Sequence, residues 1–222
     1  MNTYPNTVNN TRSSSIEINN VLRNTYWLLA MTLLFSAVTA GVSMALRLPH
    51  PGLVLTLVGY FGLLYLTTRY RNSSLGLAMV FALTGFMGYT LGPMLNAYLA
   101  LSNGGQLVMT AFAGTGISFV ALSGYAIVSR KDFSFMGSFL MVGIVVAFLA
   151  GLGAFVFELP GLALAVSAMF ILLMAGLILY QTGDIINGGE TNYVMATVTL
   201  YVSIYNLFTS LLHLLGAFSH QE

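Results

Sequence analysis

Long apolar runs alternate with short polar turns along almost the whole of this chain. A helix that crosses a bilayer needs about 20 mostly apolar residues, and seven runs come close to that length or exceed it. The turns between them hold most of the charged residues. The pattern predicts an all-α membrane protein with seven transmembrane helices, at about 25–46, 52–68, 75–101, 106–128, 133–157, 160–180 and 192–218.

The composition of the chain agrees with this class. Of its 222 residues, 57% are hydrophobic and 6% are charged, whereas a soluble domain carries about 25% charged residues. The net charge of +1 gives no indication of a nucleic-acid partner. Residues 1–22 are rich in Asn, Ser and Thr, and they predict a flexible tail rather than a secretory signal. Residues 23–219 are predicted to form one transmembrane domain, because no turn is long enough for another.

The basic residues of the loops predict the orientation, since Lys and Arg are enriched in short cytoplasmic loops. With the N-terminus inside, six Lys and Arg residues lie in the cytoplasm and only Arg47 lies outside. In the reverse orientation, six would lie outside and only Arg47 in the cytoplasm. The chain is therefore predicted to be N-in and C-out, with six basic residues in the cytoplasm: Arg12, Arg23, Arg69, Arg71, Arg130 and Lys131.

The last apolar run carries a polar stripe. Its members recur at steps of three and four residues and so share one side of a helix. A polar side facing lipid is very unfavourable, so the seventh helix is predicted to be central and enclosed by the other six. The stripe is alternatively a set of hydrogen bonds between packed helices. It comprises Asn192, Ala196, Thr199, Ser203, Asn206, Ser210 and His213.

Asp184 is the charged residue that most suggests function. If the sixth helix continues past Tyr180, this carboxylate lies at the inner membrane boundary, close to the basic loops. One interpretation is a latch, in which Asp184 pairs with an Arg of these loops when ionised and releases it when protonated. The other is a solvated acid near a turn, which is common at the ends of membrane spans.

Glu190 is predicted at the start of the seventh helix, where the helix dipole and unpaired N–H groups favour a carboxylate. Asp184 and Glu190 alone make a poor calcium site, since Ca²⁺ takes six to eight oxygen ligands. Asp184 is at most a weak metal candidate, and no other cofactor is expected. His213 and His50 are isolated, and the sequence contains no nucleophile elbow, HExxH, P-loop or dinucleotide motif. The chain is not expected to be an enzyme.

Small residues predict close contacts between helices. Gly85, Gly88 and Gly92 are spaced by three and four residues in the third run, and Ala147 and Gly151 by four in the fifth. Pro93 is expected to kink the third helix and to leave a carbonyl without its helical donor.

Several segments resemble the Bax inhibitor-1 (TMBIM) family of seven-span membrane proteins. GYTLGPML at 88–95 is similar to the family signature. The bacterial YccA branch of that family is resembled most closely, through VLRNTYWLLAMTL at 21–33, LPHPGLVLTLVG at 48–59, SRKDFSFMG at 129–137 and NGGETNYVMATVTLYVSIYNLF at 187–208. The resemblance covers nearly the whole chain after about residue 20.

The resemblance implies six helices around a central seventh and two alternative functions. One is a pH-sensitive calcium or cation leak, in which two aspartates on the last two helices share a proton and an Arg of the second helix, here Arg69 or Arg71, is the latch. Asp184 matches the first aspartate, but Ser203 stands at the second position and cannot ionise. The other function, implied by the YccA branch, is binding and modulation of the ATP-dependent protease FtsH in the bacterial inner membrane, with the N-terminal tail presented to the protease.

Overall fold

A computed structural model describes the backbone of residues 6–219 and the side chains of residues 16–219. Within these residues the protein is all-α and has no strand, as predicted. All seven helices are long and apolar enough to cross a membrane. They are α1 (Asn6–Ala45), α2 (Leu53–Tyr70), α3 (Ser74–Leu99), α4 (Gly104–Ser129), α5 (Gly137–Val156), α6 (Pro160–Ile186) and α7 (Tyr193–Ser219), with one 3-10 turn at Ser134–Met136.

Two helices are longer than the sequence predicts. Helix α1 begins at Asn6 and so includes residues 6–22 of the segment predicted to be a flexible tail, while its flexibility stays a prediction; residues 1–5 lie outside the described part. Asn, Ser and Thr disfavour a helix only weakly, and extending an existing helix avoids the cost of nucleation. Helix α6 continues six residues past Tyr180 to Ile186 and ends before Gly188, whose φ is +78°.

The turns between the helices fall at two ends of the bundle. The Asp184 end holds the α2–α3, α4–α5 and α6–α7 turns, and the Arg47 end holds the α1–α2, α3–α4 and α5–α6 turns. Of the Lys and Arg residues whose side chains the structure describes, Arg47 alone belongs to the Arg47 end. The uneven distribution of Lys and Arg between the two ends, from which the orientation was predicted, is therefore present in the fold. The N-in, C-out orientation itself stays a prediction.

Helix α7 is central, as the polar stripe predicts. Within Tyr193–Ser219 only Phe218 is exposed. The helix packs against α1, α3, α4 and α6, while α2 packs on α3 and α5 packs on α6. Phe61 of α2 and Phe148 of α5 meet edge to face, with ring centroids 5.7 Å apart, and close the bundle on the remaining side.

The predicted contacts of small residues are present between α1 and α3. A Cβ on Gly88 would collide with Thr39 Oγ1 and the carbonyl oxygen of Ser36, and one on Gly92 would collide with Ser43 Oγ. The two helices can approach this closely only because these positions lack side chains. On the other side of the bundle, Ala147 of α5 is fully buried where α5 packs on α6.

Pro93 leaves one carbonyl of α3 free, and α1 provides its donor. Proline has no N–H, so the carbonyl four residues earlier, that of Tyr89, lacks its helical partner. The hydroxyl of Ser43 in α1 donates to this oxygen at 3.0 Å. The predicted defect is therefore repaired by a neighbouring helix, which is how proline is tolerated within membrane spans.

Candidate functional site

The turn between α6 and α7 brings the two acids of interest together. Asp184 lies in the last turn of α6, and its backbone oxygen accepts hydrogen bonds from the N–H groups of Gly189, at 2.9 Å, and Glu190, at 3.4 Å. Its carboxylate packs directly on Gly189, where a Cβ would collide with Asp184 Oδ1. A side chain at position 189 would therefore displace the carboxylate.

Three neighbouring segments hold this turn at the centre of the Asp184 end. Asn187 Nδ2 donates to the carbonyl of Lys131 in the α4–α5 turn at 3.3 Å. Asn192 Nδ2 donates to Asn72 Oδ1 in the α2–α3 turn at 2.7 Å. Ile18 of α1 lies beside Gly188. A movement of the α6–α7 turn would consequently disturb its contacts with the α4–α5 turn, the α2–α3 turn and α1.

The electrostatic surroundings of Asp184 differ from those expected of a closed latch. The charged groups that act on its carboxylate most strongly are two other acids, Glu190 and Asp132. Among the described residues, no Lys or Arg nitrogen lies within 4.0 Å of a carboxylate oxygen. Arg69 and Arg71 are exposed, and the Arg69 guanidinium lies 6.0 Å from the centre of the Tyr70 ring. The structure does not bring either arginine into an ion pair with Asp184, and pairing in another state stays a prediction.

The start of α7 is capped by Asn192, with Glu190 in a supporting position. Asn192 Oδ1 accepts hydrogen bonds from the N–H groups of Val194 and Met195, both at 3.1 Å. Glu190 Oε1 accepts the N–H of Asn192 at 2.7 Å. The sequence placed Glu190 at the helix start, whereas α7 begins three residues later at Tyr193, so the side chain that meets the free N–H groups belongs to Asn192.

Two central members of the polar stripe donate hydrogen bonds to their own helix, α7. Ser203 is fully buried and donates to the carbonyl of Thr199 at 2.7 Å. Asn206 donates to the carbonyl of Val202 at 2.8 Å. Ser210 is buried as well. At the far end, His213 Nδ1 lies 2.8 Å from Ser167 Oγ of α6. No member of the stripe is exposed, as expected of an enclosed helix side. Its described hydrogen bonds to other elements lie near its two ends.

A second polar line on α7 makes the contacts between helices and was missed from the sequence. Tyr201 shares a hydrogen bond with Ser36 of α1 at 2.6 Å and donates to the carbonyl of Thr84 of α3 at 3.2 Å. Tyr205 pairs with Thr90 of α3 at 2.9 Å. Neither tyrosine belongs to the stripe that the sequence predicts. Their four-residue spacing was the available signal, since a buried Tyr hydroxyl needs a partner.

A buried polar group one turn deeper than Asp184 was also missed. Gln181 is 5% exposed, and its Nε2 has no hydrogen-bond partner. Next to it, the hydroxyl of Thr182 lies 3.3 Å from that of Tyr26 and 3.4 Å from that of Ser123. These contacts join α6 to α1 and α4 beneath the turn. The signal in the sequence was the pair Gln181-Thr182 at the end of an apolar run.

No cluster of three or more His, Cys, Asp or Glu side chains that could hold a metal occurs in the described part of the chain. The acids at the turn could therefore bind a cation only with help from backbone carbonyls, Asn187 or water. What the arrangement offers chemically is a partly buried carboxylate beside other acids, above a buried polar layer.

The fold and this site define a multi-pass helical membrane protein whose last helix is enclosed by the others. The chain belongs to the family described as "Inhibitor of apoptosis-promoting Bax1", which it matches over residues 18–220. This confirms the resemblance recognised in its motifs.

Bacterial relatives match along nearly the whole chain. The "Modulator of FtsH protease YccA" of Escherichia coli K12 is 52% identical over 205 residues, covering 92% of this chain and 93% of the relative. The same protein of another Escherichia coli strain, equally similar, bears the name "Inner membrane protein YccA". An uncharacterized protein of Pseudomonas aeruginosa is 54% identical over 200 residues, 90% of each chain.

Proposed function

We propose that this protein is a regulatory protein of the bacterial inner membrane that binds the ATP-dependent protease FtsH, modulates it, and catalyses no reaction itself. The observation that carries the proposal is the 52% identity with a relative named a modulator of that protease, over 92% of this chain. The family match spans residues 18–220, which include the turns at the Asp184 end and so the surfaces that a membrane-bound partner could contact there.

The length of α1 supports an interaction with another protein at the Asp184 end. Its 40 residues correspond to about 60 Å, about twice the thickness of the hydrocarbon core. Glu17, Asn19 and Asn20 are exposed on its N-terminal half. A helix that projects from a membrane bundle offers a rigid surface to a partner in the adjacent aqueous phase.

Site-specific crosslinking tests this proposal in cells. A photoreactive amino acid at Asn19, at the Asp184 end, is expected to crosslink to the protease, whereas one at Phe157, exposed at the Arg47 end, is not. Overexpression of the protein is expected to slow the degradation of a membrane substrate. The absence of any crosslink or co-purification with the protease, with unchanged substrate turnover, would overturn the proposal.

A pH-sensitive calcium or cation leak is the second candidate. The observation in its favour is Asp184, a partly buried carboxylate influenced by Glu190 and Asp132 with no basic group within 4.0 Å among the described residues. Such a group can change its surroundings when it gains or loses a proton. Ser203 bears no charge, so a proton shared between two aspartates is not available to this chain.

Flux measurements separate the two candidates. Purified protein is reconstituted in liposomes that contain a calcium dye, and influx is compared at two pH values. A leak predicts flux that depends on pH and changes in Asp184→Asn, while Glu158→Gln, at the Arg47 end, serves as the control. Flux equal to that of empty liposomes, or unaffected by pH and by Asp184→Asn, would exclude Asp184 as the gate.

A further inference from the structure

A pocket at the Arg47 end contains a cluster of hydrogen-bond donors that the proposed function does not use. It has a volume of about 470 Å³ and lies between the α1–α2 turn and the last part of α3. Its polar lining comes from Arg47, His50 and Asn96, and its apolar lining includes Leu48, Pro49 and Pro93.

The last turn of α1 and the α1–α2 turn are fixed to α3 by hydrogen bonds near this pocket. The Tyr89 hydroxyl donates to the carbonyl of Pro49 at 2.7 Å. Asn96 Nδ2 donates to the carbonyl of Met44 at 3.2 Å. The Ser43 hydroxyl donates to the carbonyl of Tyr89. The walls of the pocket are therefore held in place before any ligand binds, which lowers the entropy cost of binding.

The backbone of Arg47 is in a conformation that arginine rarely adopts. Its φ of +49° lies in the left-handed region, which is uncommon for residues other than glycine. Such backbone conformations cluster at ligand-binding sites, where they position a side chain. Here the conformation ends α1 and places Arg47 in the wall of the pocket.

The hydrogen bond to His50 identifies its free ring nitrogen as a donor. The N–H of Gly52 donates to His50 Nδ1 at 3.0 Å, so Nδ1 carries a lone pair. In a neutral imidazole the proton then resides on Nε2. The Arg47 guanidinium adds up to five N–H donors. The pocket is thus rich in donors and carries the positive charge of Arg47.

Among the described residues, no carboxylate lines the pocket. Glu158, the acid of the α5–α6 turn, lines a different cavity together with His213. Arg47 also lies at the end of the bundle opposite to the loops that hold the other described Lys and Arg residues. Such a concentration of basic residues at one end favours membrane insertion in one orientation. A specific ligand would explain an arginine at this position.

We propose that Arg47 and His50 form a binding site for a phosphate oxyanion at the Arg47 end of the bundle. Guanidinium groups bind phosphate oxygens through paired, charge-assisted hydrogen bonds. The pocket lies beside the turns, at the level where phospholipid headgroups lie when α1–α3 cross a bilayer. The phosphate belongs either to an anionic phospholipid or to a soluble phosphate compound, since both present the same oxygens to the site.

Binding of defined lipids to the purified, delipidated full-length protein tests the site. Native mass spectrometry measures binding of phosphatidylglycerol and of diacylglycerol, which lacks the phosphate. Arg47→Asn is the main variant, because Asn tolerates a positive φ. It is expected to weaken phosphatidylglycerol binding about tenfold and to leave diacylglycerol binding unchanged. His50→Phe is expected to weaken phosphatidylglycerol binding to a smaller extent.

The chain offers a matched control at the opposite end. Arg130 is likewise an exposed arginine that ends a helix with a positive φ, of +50°, and Arg130→Asn is expected to bind phosphatidylglycerol like the wild type. Thermal midpoints measured without lipid show whether each variant folds, and His50→Phe tests the site independently of Arg47. Unchanged phosphatidylglycerol binding in both Arg47→Asn and His50→Phe, or an equal loss in Arg130→Asn, would overturn the proposal.

Competition identifies the source of the phosphate. If millimolar inorganic phosphate displaces phosphatidylglycerol from the wild type and binds Arg47→Asn less well, the site accepts soluble phosphate. If it does not compete while the lipid still requires Arg47, the site is specific for the headgroup. Both results support an oxyanion site, and neither depends on whether the protein binds the protease.

Discussion

At the scale of single residues, the pairing of Ser43 with the carbonyl of Tyr89 shows how a local defect is compensated. Sequence alone indicated that Pro93 would free a carbonyl. It could not identify the donor, because Ser43 lies 46 residues earlier in the chain and nothing local relates the two positions. The geometry of α1 against α3 makes a hydroxyl in one helix the partner of a backbone group in the other.

A double-mutant cycle on this pair has a definite expected outcome. Ser43→Ala leaves the Tyr89 oxygen without a donor and is expected to lower the free energy of unfolding by about 1 kcal/mol. In the Pro93→Ala background, residue 93 supplies its own N–H, so Ser43→Ala is expected to cost much less. The free energy of unfolding is measured in mixed micelles for the wild type, the two single variants and the double variant. Equal costs in the two backgrounds would show that Ser43 does not compensate for the proline.

Asp132 should contribute a pH-dependent share of stability. Its Oδ1 accepts the N–H of Ser134 at 2.8 Å, and this hydrogen bond holds the pKa of the Asp132 carboxyl below its ordinary value. Since the folded pKa is the lower one, the contribution is present above the ordinary value of about 4 and is lost as the pH falls through the folded pKa.

The difference in thermal midpoint between the wild type and Asp132→Asn is therefore expected to shrink as the pH is lowered from about 6 to about 3. Comparing the two proteins at each pH removes the effect of other groups that titrate in both. A difference that stays constant over this range would contradict the assigned role of the Ser134 hydrogen bond.

At the scale of helices, the sequence predicted which segments form membrane-spanning helices, but it predicted fewer of the side-chain contacts between those helices. The seven apolar runs and the central position of α7 follow from hydrophobicity and the polar stripe. The hydrogen bonds of Tyr201 and Tyr205 could not be predicted, because a tyrosine ring is apolar while its hydroxyl needs a partner. The partners, Ser36 of α1 and Thr90 of α3, are distant in sequence and are identified only by the packing of the helices. The ion pair predicted between Asp184 and an arginine depends on the distance between their charged groups. That both residues lie at the same end of the bundle does not determine this distance.

Glycines of equal appearance in the sequence should differ sharply in their tolerance of a side chain. Gly88→Ala places a methyl group against Thr39 and the Ser36 carbonyl, and we expect it to destabilise the protein by about 1–3 kcal/mol through overpacking. Gly116 of α4 is exposed, and a Cβ there meets no atom within 4 Å. Gly116→Ala is expected to be neutral or stabilising by about 0.5 kcal/mol. Comparable effects of the two substitutions on unfolding would contradict the close approach of α1 and α3.

At the scale of the whole molecule, the orientation in the membrane can be tested directly because the chain contains no cysteine. Single cysteines are introduced at Ser102 in the α3–α4 turn and at Ser73 in the α2–α3 turn, both exposed. With the N-terminus inside, a membrane-impermeant maleimide is expected to label Ser102→Cys in intact cells and Ser73→Cys only after permeabilisation. The reverse pattern would invert the topology and place Asp184 outside.

The repair of α3 by α1 also sets a condition on biosynthesis. An α3 inserted alone would expose the Tyr89 carbonyl to hydrocarbon, where an unpaired backbone group is costly. Its donor, Ser43, belongs to a helix synthesised earlier, and we expect α1 to be in the membrane before the acceptor emerges. Because Gly88 and Gly92 lack side chains, α1 and α3 can pack closely without any rearrangement of side chains at these positions. We therefore expect α1 and α3 to associate first during insertion, and α7, which completes the bundle, to enter last.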